Sequence, residues 1–312
     1  MNNYQINKFL KICKMNQNEL LKYLFKLSCK FYEFDRVVRT DKYLYIKGDT
    51  PVLFVCHLDT VHKTRPREFW FSKDLDKVRA TEGIGGDDRC GVYLLTKLMK
   101  TRYKPHLLFT TDEEIGLIGV ERFCDDFKDI DVNCIIELDR KGSNDVVIYD
   151  DENKELCNKF ISLGFKEQSG SFTDISVLSP FYNISGVNLS CGYYNPHTSN
   201  EYVVFSEMNN TYLKVIQFLN DSSNYNTKYE YKCTQNHNIF SLYNYDDRCY
   251  ICNGLVENYQ HQTPDGCLCN DCYLQYKEYF DICPNCGCYY YKDYNYCEIC
   301  GTFTCEGDDI DE

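Results

Sequence analysis

Apolar and polar positions along the first 220 residues switch repeatedly between a helical and an extended period. The clearest extended run is VLFVC at 52–56, five consecutive apolar residues that predict a buried strand. His57 cuts it off, and Asp59 follows after one intervening residue. Residues 16–29, NQNELLKYLFKLSC, place apolar side chains at helical spacing after a polar start and predict an amphipathic helix. Residues 35–48 read as a two-strand hairpin leading into the strand at 52–56. Further on, helices are predicted over 88–100, 116–127, 152–165 and 205–219, with a helical turn at 174–179. Strands are predicted at 106–111, 133–138, 145–149 and 187–190. Strands alternating with helices imply an α/β fold: a mixed, mostly parallel sheet with helices on both faces. The antiparallel part falls near the start of the chain. The polar stretch NDSSNYN at 220–226 reads as a linker, dividing the chain into domains 1–225 and 226–312.

Cysteine placement changes the picture. Of twenty cysteines, eight are scattered through residues 1–232 and twelve crowd into 233–312. The scattered ones flank apolar runs and read as buried thiols. In the tail, Cys249 and Cys252 form one CxxC pair, followed after sixteen intervening residues by Cys269 and Cys272. Cys283 and Cys286 are followed, after ten, by Cys297 and Cys300. Two such pairs of pairs predict two structural zinc ions, and CPNCG and CEICG look like zinc-ribbon knuckles. A tail so poor in aliphatic residues can hardly build a core unaided, so metal would supply folding free energy.

Charge is equally uneven. From residue 233 onward there are 3 basic and 14 acidic residues, a net of −11 out of −13 for the chain. That charge repels phosphate and argues against nucleic acid as a partner. A protein partner for the acidic tail is the expectation instead. No apolar run approaches the ~18 residues of a membrane span, and MNNYQINKFLKICKMNQ does not read as a signal peptide. Both point to an intracellular, cytoplasmic protein without membrane attachment.

Candidate chemistry sits where predicted strands end. His57 could bind a metal while Asp59 holds its other ring nitrogen. GIGGDDRCG at 83–91 turns sharply and sets Asp87 at the mouth of a helix. TTDEEIGLIG at 110–119 ends a strand with three successive carboxylates. Neighbouring Glu113 and Glu114 point in different directions along an extended backbone, so one can ligate a metal while the other reaches a water. Asp139 ends the strand in IIELDR, and His197 follows a Pro-containing turn in GYYNPHTSNEYV. Five nitrogen or oxygen ligands and one free carboxylate are what a two-metal hydrolytic site requires. Zinc suits the donors, with manganese or cobalt as alternatives.

Together, His57-x-Asp59, GGDDRCG, DEEIG, Asp139 and HTSNE resemble the co-catalytic zinc exopeptidases, the clan of peptidase T, the aminoacylase-like deacylases and zinc aminopeptidases. The match covers about residues 45–220. The resemblance implies that His57 and Asp139 hold one metal and Glu114 and His197 the other, with Asp87 bridging. It implies a cis Asp87–Asp88 peptide and Glu113 as general base. Asp59 would orient His57, and Glu201 would stand behind the ligands. Glu137 lies on the same strand face as Asp139 and competes for its role. GSFTDI at 170–175 resembles a segment near the substrate, with Thr173 and Asp174 as candidates. Many members carry a lid domain before the last ligand, but only 58 positions separate Asp139 from His197, which leaves no room for one. Oxyanion stabilisation would then fall to the metals and a donor such as Tyr193 or Tyr194. His62 and His106 read as structural or exposed.

The expected function is a metal-dependent hydrolase, a metallopeptidase that cleaves a peptide bond through a water activated by two metals, in the manner of an aminopeptidase. The alternatives are an N-acyl amino acid deacylase, and a zinc-ribbon binding protein carrying a silent hydrolase domain.

Overall fold

The computed structural model describes residues 1–170 and 172–233, together with 262–263, 266–267, 272–274, 277, 280–282 and 289–291. Its main sheet comprises β1 (Val37–Arg39), β2 (Tyr43–Ile46), β3 (Thr50–His57), β6 (Pro105–Thr110), β7 (Cys134–Arg140), β8 (Asp145–Val147), β9 (Lys166–Gln168) and β10 (Gly186–Ser190). They run in the order β1-β2-β6-β3-β7-β10-β8-β9. The centre, β6-β3-β7-β10, is parallel. β1, β2 and β8 pair antiparallel with their neighbours toward the centre. This is the mixed sheet expected, with its antiparallel hairpin at 37–46.

Alternation assigns the two faces. Val52, Phe54 and Cys56 of β3 enter one core, and Leu53 and Val55 enter the other. The first face is covered by α1 (Asn3–Cys13), α2 (Gln17–Ser28), α3 (Gly86–Leu98), α5 (Glu155–Ser162) and α7 (Phe205–Asn220). The second is covered by α4 (Ile118–Asp126) and α6 (Asp174–Tyr182). The first helix, α1, has no counterpart in the sequence reading. It is capped by Asn2, whose side chain accepts from Gln5 N while Gln5 reaches back to Asn2 N, and it buries Ile6, Phe9, Ile12 and Cys13. The turn expected at 174–179 is a helix through Tyr182 with Pro180 inside it.

A second, four-stranded sheet was also not anticipated. It has the order β11-β12-β5-β4, with β4 at Phe69–Phe71, β5 at Lys77–Ala80, β11 at Tyr193–Tyr194 and β12 at Tyr202–Val204. The span from 140 to 196 contributes β8, α5, β9, α6, β10 and β11 to these layers, and no separate lid is inserted there among the described residues.

The first compact unit runs Met1–Asn236, beyond the boundary expected at 225, and the second is His237–Glu312. In the second, Gln262–Thr263 pairs with Gly266–Cys267 and Phe280–Ile282 with Tyr289–Tyr291, both antiparallel. Cys249, Cys252, Cys269, Cys283, Cys286, Cys297 and Cys300 of the expected zinc sites lie outside the described residues; Cys272 is buried. No helix among the described residues is long and apolar enough to cross a membrane.

Candidate active site

The carboxyl ends of the parallel strands converge, and register sets the neighbours. Val55 of β3 lies opposite Glu137 of β7, so His57 and Asp139, two residues further along each strand, leave the sheet side by side. His57 also lies opposite Thr110 at the end of β6, where the acidic turn at 112–114 begins. Helix α3 can pack onto β7 closely enough to bring Asp87 in because residue 91 is glycine. A Cβ there would stand 2.1 Å from the Leu138 carbonyl oxygen. The Asp87–Asp88 peptide is cis, as the resemblance implied.

Asp87 is the hub. Its Oδ1 lies 3.0 Å from His57 Nε2, and its Oδ2 lies 3.3 Å from His197 Nε2. His57 Nε2 is also 3.7 Å from Asp139 Oδ2, and His197 Nε2 is 3.0 Å from Glu114 Oε1. Two groups of donor atoms result, His57–Asp87–Asp139 and Asp87–Glu114–His197, each within 4.8 Å of one another. They share Asp87. A third grouping, His57–Glu113–Glu114, brings Glu113 to the same rim.

Asp59 stands behind this set. Its Oδ1 is 3.3 Å from His57 Nδ1, and its two oxygens accept from the Glu113 and Glu114 amides at 3.1 and 3.0 Å. One carboxylate therefore holds both His57 and the Glu113–Glu114 backbone. Glu201, fully buried, accepts from the Asp87 amide at 3.0 Å and the Gly85 amide at 2.7 Å. Glu137 is also fully buried and accepts from Thr173 Oγ1 at 2.8 Å. It lies deeper than Asp139 and belongs to neither donor group. Asp139 accepts from Tyr193 Oη at 2.9 Å.

Thr173 lines the cleft over the site, whereas Asp174 is buried beneath and accepts from Thr110 Oγ1 at 2.5 Å. Tyr194 points elsewhere, to Glu207 at 2.6 Å. The cleft encloses about 190 Å³, with Phe172, Tyr149, Arg140 and Lys141 on its outer walls. His106 is buried against Tyr45 Oη, as a structural histidine should be. His62 is neither free nor exposed: its Nε2 lies 2.7 Å from Glu201 Oε2. The signal for it was the spacing in HLDTVH, which puts a second histidine just past the ligand strand.

The electrostatics call for cations. Burial pushes Glu113 up to about 8, with Asp174, Glu114 and Asp87 adding repulsion. Asp139 is pushed well up by burial and then by Asp87, and Glu114 is raised by burial and Asp87. Burial opposes the charge on His57, but Asp139 and the bonds to Asp59 and Asp87 hold it well above its ordinary value. His197 is raised to about 9, first by its bond to Asp87. Without a metal, protons on the two histidines and on the raised carboxylates offset part of this crowding. Divalent cations would do so directly, and a set of imidazoles and carboxylates suits zinc. The residues present fit the group that the resemblance implies.

No protein-family model matches the sequence, and no curated protein matches it. Solved structures do match. An aminopeptidase PepT from Bacillus cereus aligns with 70% of this chain and 98% of its own at 14% identity and a TM-score of 0.55. A tripeptidase from Staphylococcus aureus aligns with 69% of this chain and 96% of its own at 12% identity and 0.56. A TET aminopeptidase from a Thaumarchaeota archaeon covers 70% and 97% at 10% identity and 0.55. The fold is similar to that of solved aminopeptidases. At such low identity the likeness establishes architecture; the chemistry must be argued from the side chains.

Proposed function

We propose that the first unit is a metal-dependent aminopeptidase that uses two divalent cations, zinc or else manganese or cobalt. The observation that carries this reading is Asp87, a single carboxylate presenting one oxygen to His57 and the other to His197. His57, Asp87 and Asp139 would hold one ion, and Asp87, Glu114 and His197 the other. When bound, such a pair polarises a scissile carbonyl and makes water a better nucleophile. The protein supplies the rest. Glu113 lines the cleft beside the ligands and takes the proton of the attacking water, then delivers it to the leaving amine. Burial raises its proton affinity, and the positive charge of bound cations would lower it again toward that of a base. Asp59 keeps Glu113 and His57 in register through the three contacts described. Tyr193, committed to Asp139, orients that ligand, and the aromatic walls at Tyr149 and Phe172 offer surface for a substrate side chain. The names of the solved neighbours favour peptides with a free amino end. For the tail we infer two structural zinc ions in its CxxC pairs and a protein partner suited to its net negative charge.

The test is Glu113→Gln. Hydrolysis of aminoacyl substrates should fall by about 10²- to 10⁴-fold while bound metal is unchanged. Turnover at the wild-type level would remove Glu113 from its role. Turnover confined to N-acyl amino acids would replace the aminopeptidase by a deacylase.

A further inference from the structure

His62 lies outside both donor groups and does not line the cleft above them. It lines a different cleft of about 340 Å³ on the other side of Asp59, and its side chain is 11% exposed. Its ring nevertheless reaches the metal ligands through one intermediary. Nε2 lies 2.7 Å from Glu201 Oε2, and that oxygen also accepts from the Gly85 amide at 2.7 Å. The other oxygen, Oε1, accepts from the Asp87 amide at 3.0 Å. The Glu201 carboxylate therefore carries three donors, two of them backbone groups of the turn that presents Asp87. A fully buried carboxylate without enough donors would be costly and poorly oriented. His62 supplies the only one of the three donors that belongs to a side chain.

The chain is also shaped around this ring. Gly83 has φ +96°, and a Cβ on it would stand 2.0 Å from His62 Cε1. The first glycine of GIGGDD thus leaves the space the imidazole occupies. A ring that merely covered a surface would need neither this seat nor a bond to a buried acid.

We propose that His62 is a positioning residue of the metal centre. Through Glu201 it fixes the Gly85–Asp87 backbone and so aims the Asp87 carboxylate at both donor groups. The inference rests on the two-metal reading above. Groups behind metal ligands commonly change metal affinity or activity by about 10- to 100-fold when altered.

The experiment compares His62→Leu and His62→Gln with the full-length wild type. Zinc affinity is measured by competition with a chelator, kcat and KM with an aminoacyl anilide, and folding by thermal unfolding of the metal-free proteins. His62→Leu, which removes the donor, should weaken zinc binding by about 10- to 100-fold and lower kcat with little change in KM. His62→Gln, which keeps an N–H, should recover most of both. If His62→Leu binds zinc within twofold of wild type, the proposal is overturned. It is equally overturned if the Gln variant, folded and as stable as wild type, is as impaired as Leu, because the ring then acts by shape alone. Should His62→Leu not fold, His62→Ala replaces it with the same expected loss, and zinc binding within twofold of wild type in that variant overturns the proposal. A wild type that takes up no zinc even on reloading sinks the two-metal reading itself, and this inference with it. Normal zinc uptake with unaltered variants sinks only the role of His62.

Discussion

At the scale of single residues, two buried histidines show how surroundings decide what an imidazole does. His57 is ringed by Asp59, Asp87 and Asp139, which outweigh burial and favour its charged form. Among the described residues His106 has no carboxylate at bonding distance, only Tyr45 Oη at 2.7 Å, and burial lowers its pKa to about 4. The sign of the consequence is fixed. An unfolded chain protonates this histidine near ~6.5, so between there and about 4 the unfolded state binds more protons. His106 should therefore cost the protein stability as pH falls through that window, by roughly 3 kcal/mol at most, and nothing further below it. His106→Gln removes the group while leaving other titrations in place. Urea unfolding at several pH values should show the wild type losing that much more stability than the variant from pH 6.5 to 4. Parallel profiles would mean that the folded protein accepts the proton freely.

At the scale of elements, the strands and helices that carry the site were legible because their patterns are long and strong. VLFVC before His57 and HLLFTT before the acids after β6 each pair an apolar run with an abrupt polar stop, and Asp87 follows a glycine-rich turn. Asp139 was named a ligand through the family resemblance, with Glu137 on the same strand face as a rival; in the fold both belong to β7, and Asp139 alone of the two falls in a donor group. The second sheet was not visible, since β4, β5, β11 and β12 are two to four residues long and only β5 buries every second position. Helix α1 was missed although its buried positions, Ile6, Phe9, Ile12 and Cys13, follow the helical repeat. In the fold Phe9 is fully buried, edge-on to Tyr93 at 5.7 Å and to Phe205 at 5.6 Å, and so joins α1 to α3 and α7. Phe9→Ala should cost about 3–5 kcal/mol in chemical denaturation. A loss under about 1 kcal/mol would mean that α1 is dispensable.

At the scale of the whole molecule, the question is where the first unit ends and what the rest contributes. A cut at the polar linker, after residue 225, would sever packed chain. Tyr229 and Tyr231 beyond it are buried. The Tyr229 amide donates to Asn133 O at 2.8 Å and its carbonyl accepts from Ser185 N at 2.7 Å, tying the segment to the starts of β7 and β10. Glu152 N donates to Lys232 O at 2.7 Å, and Asp151 bridges to Cys233. Each lost backbone bond costs about 1 kcal/mol and exposing the rings costs more, so a chain ending at 225 should melt well below one ending at 236. The longer fragment should match the first transition of the full chain. Equal melting of the two fragments would show that 226–233 only rests on the surface. The same preparations apportion the metal. About two zinc ions on the 236-residue fragment and about four on the full chain are expected if the four CxxC pairs close two sites, two pairs to each. Two on both would leave the tail's cysteines without zinc. None on the fragment and two on the full chain would place all the metal in the tail and remove the metal chemistry from the cleft around Asp87.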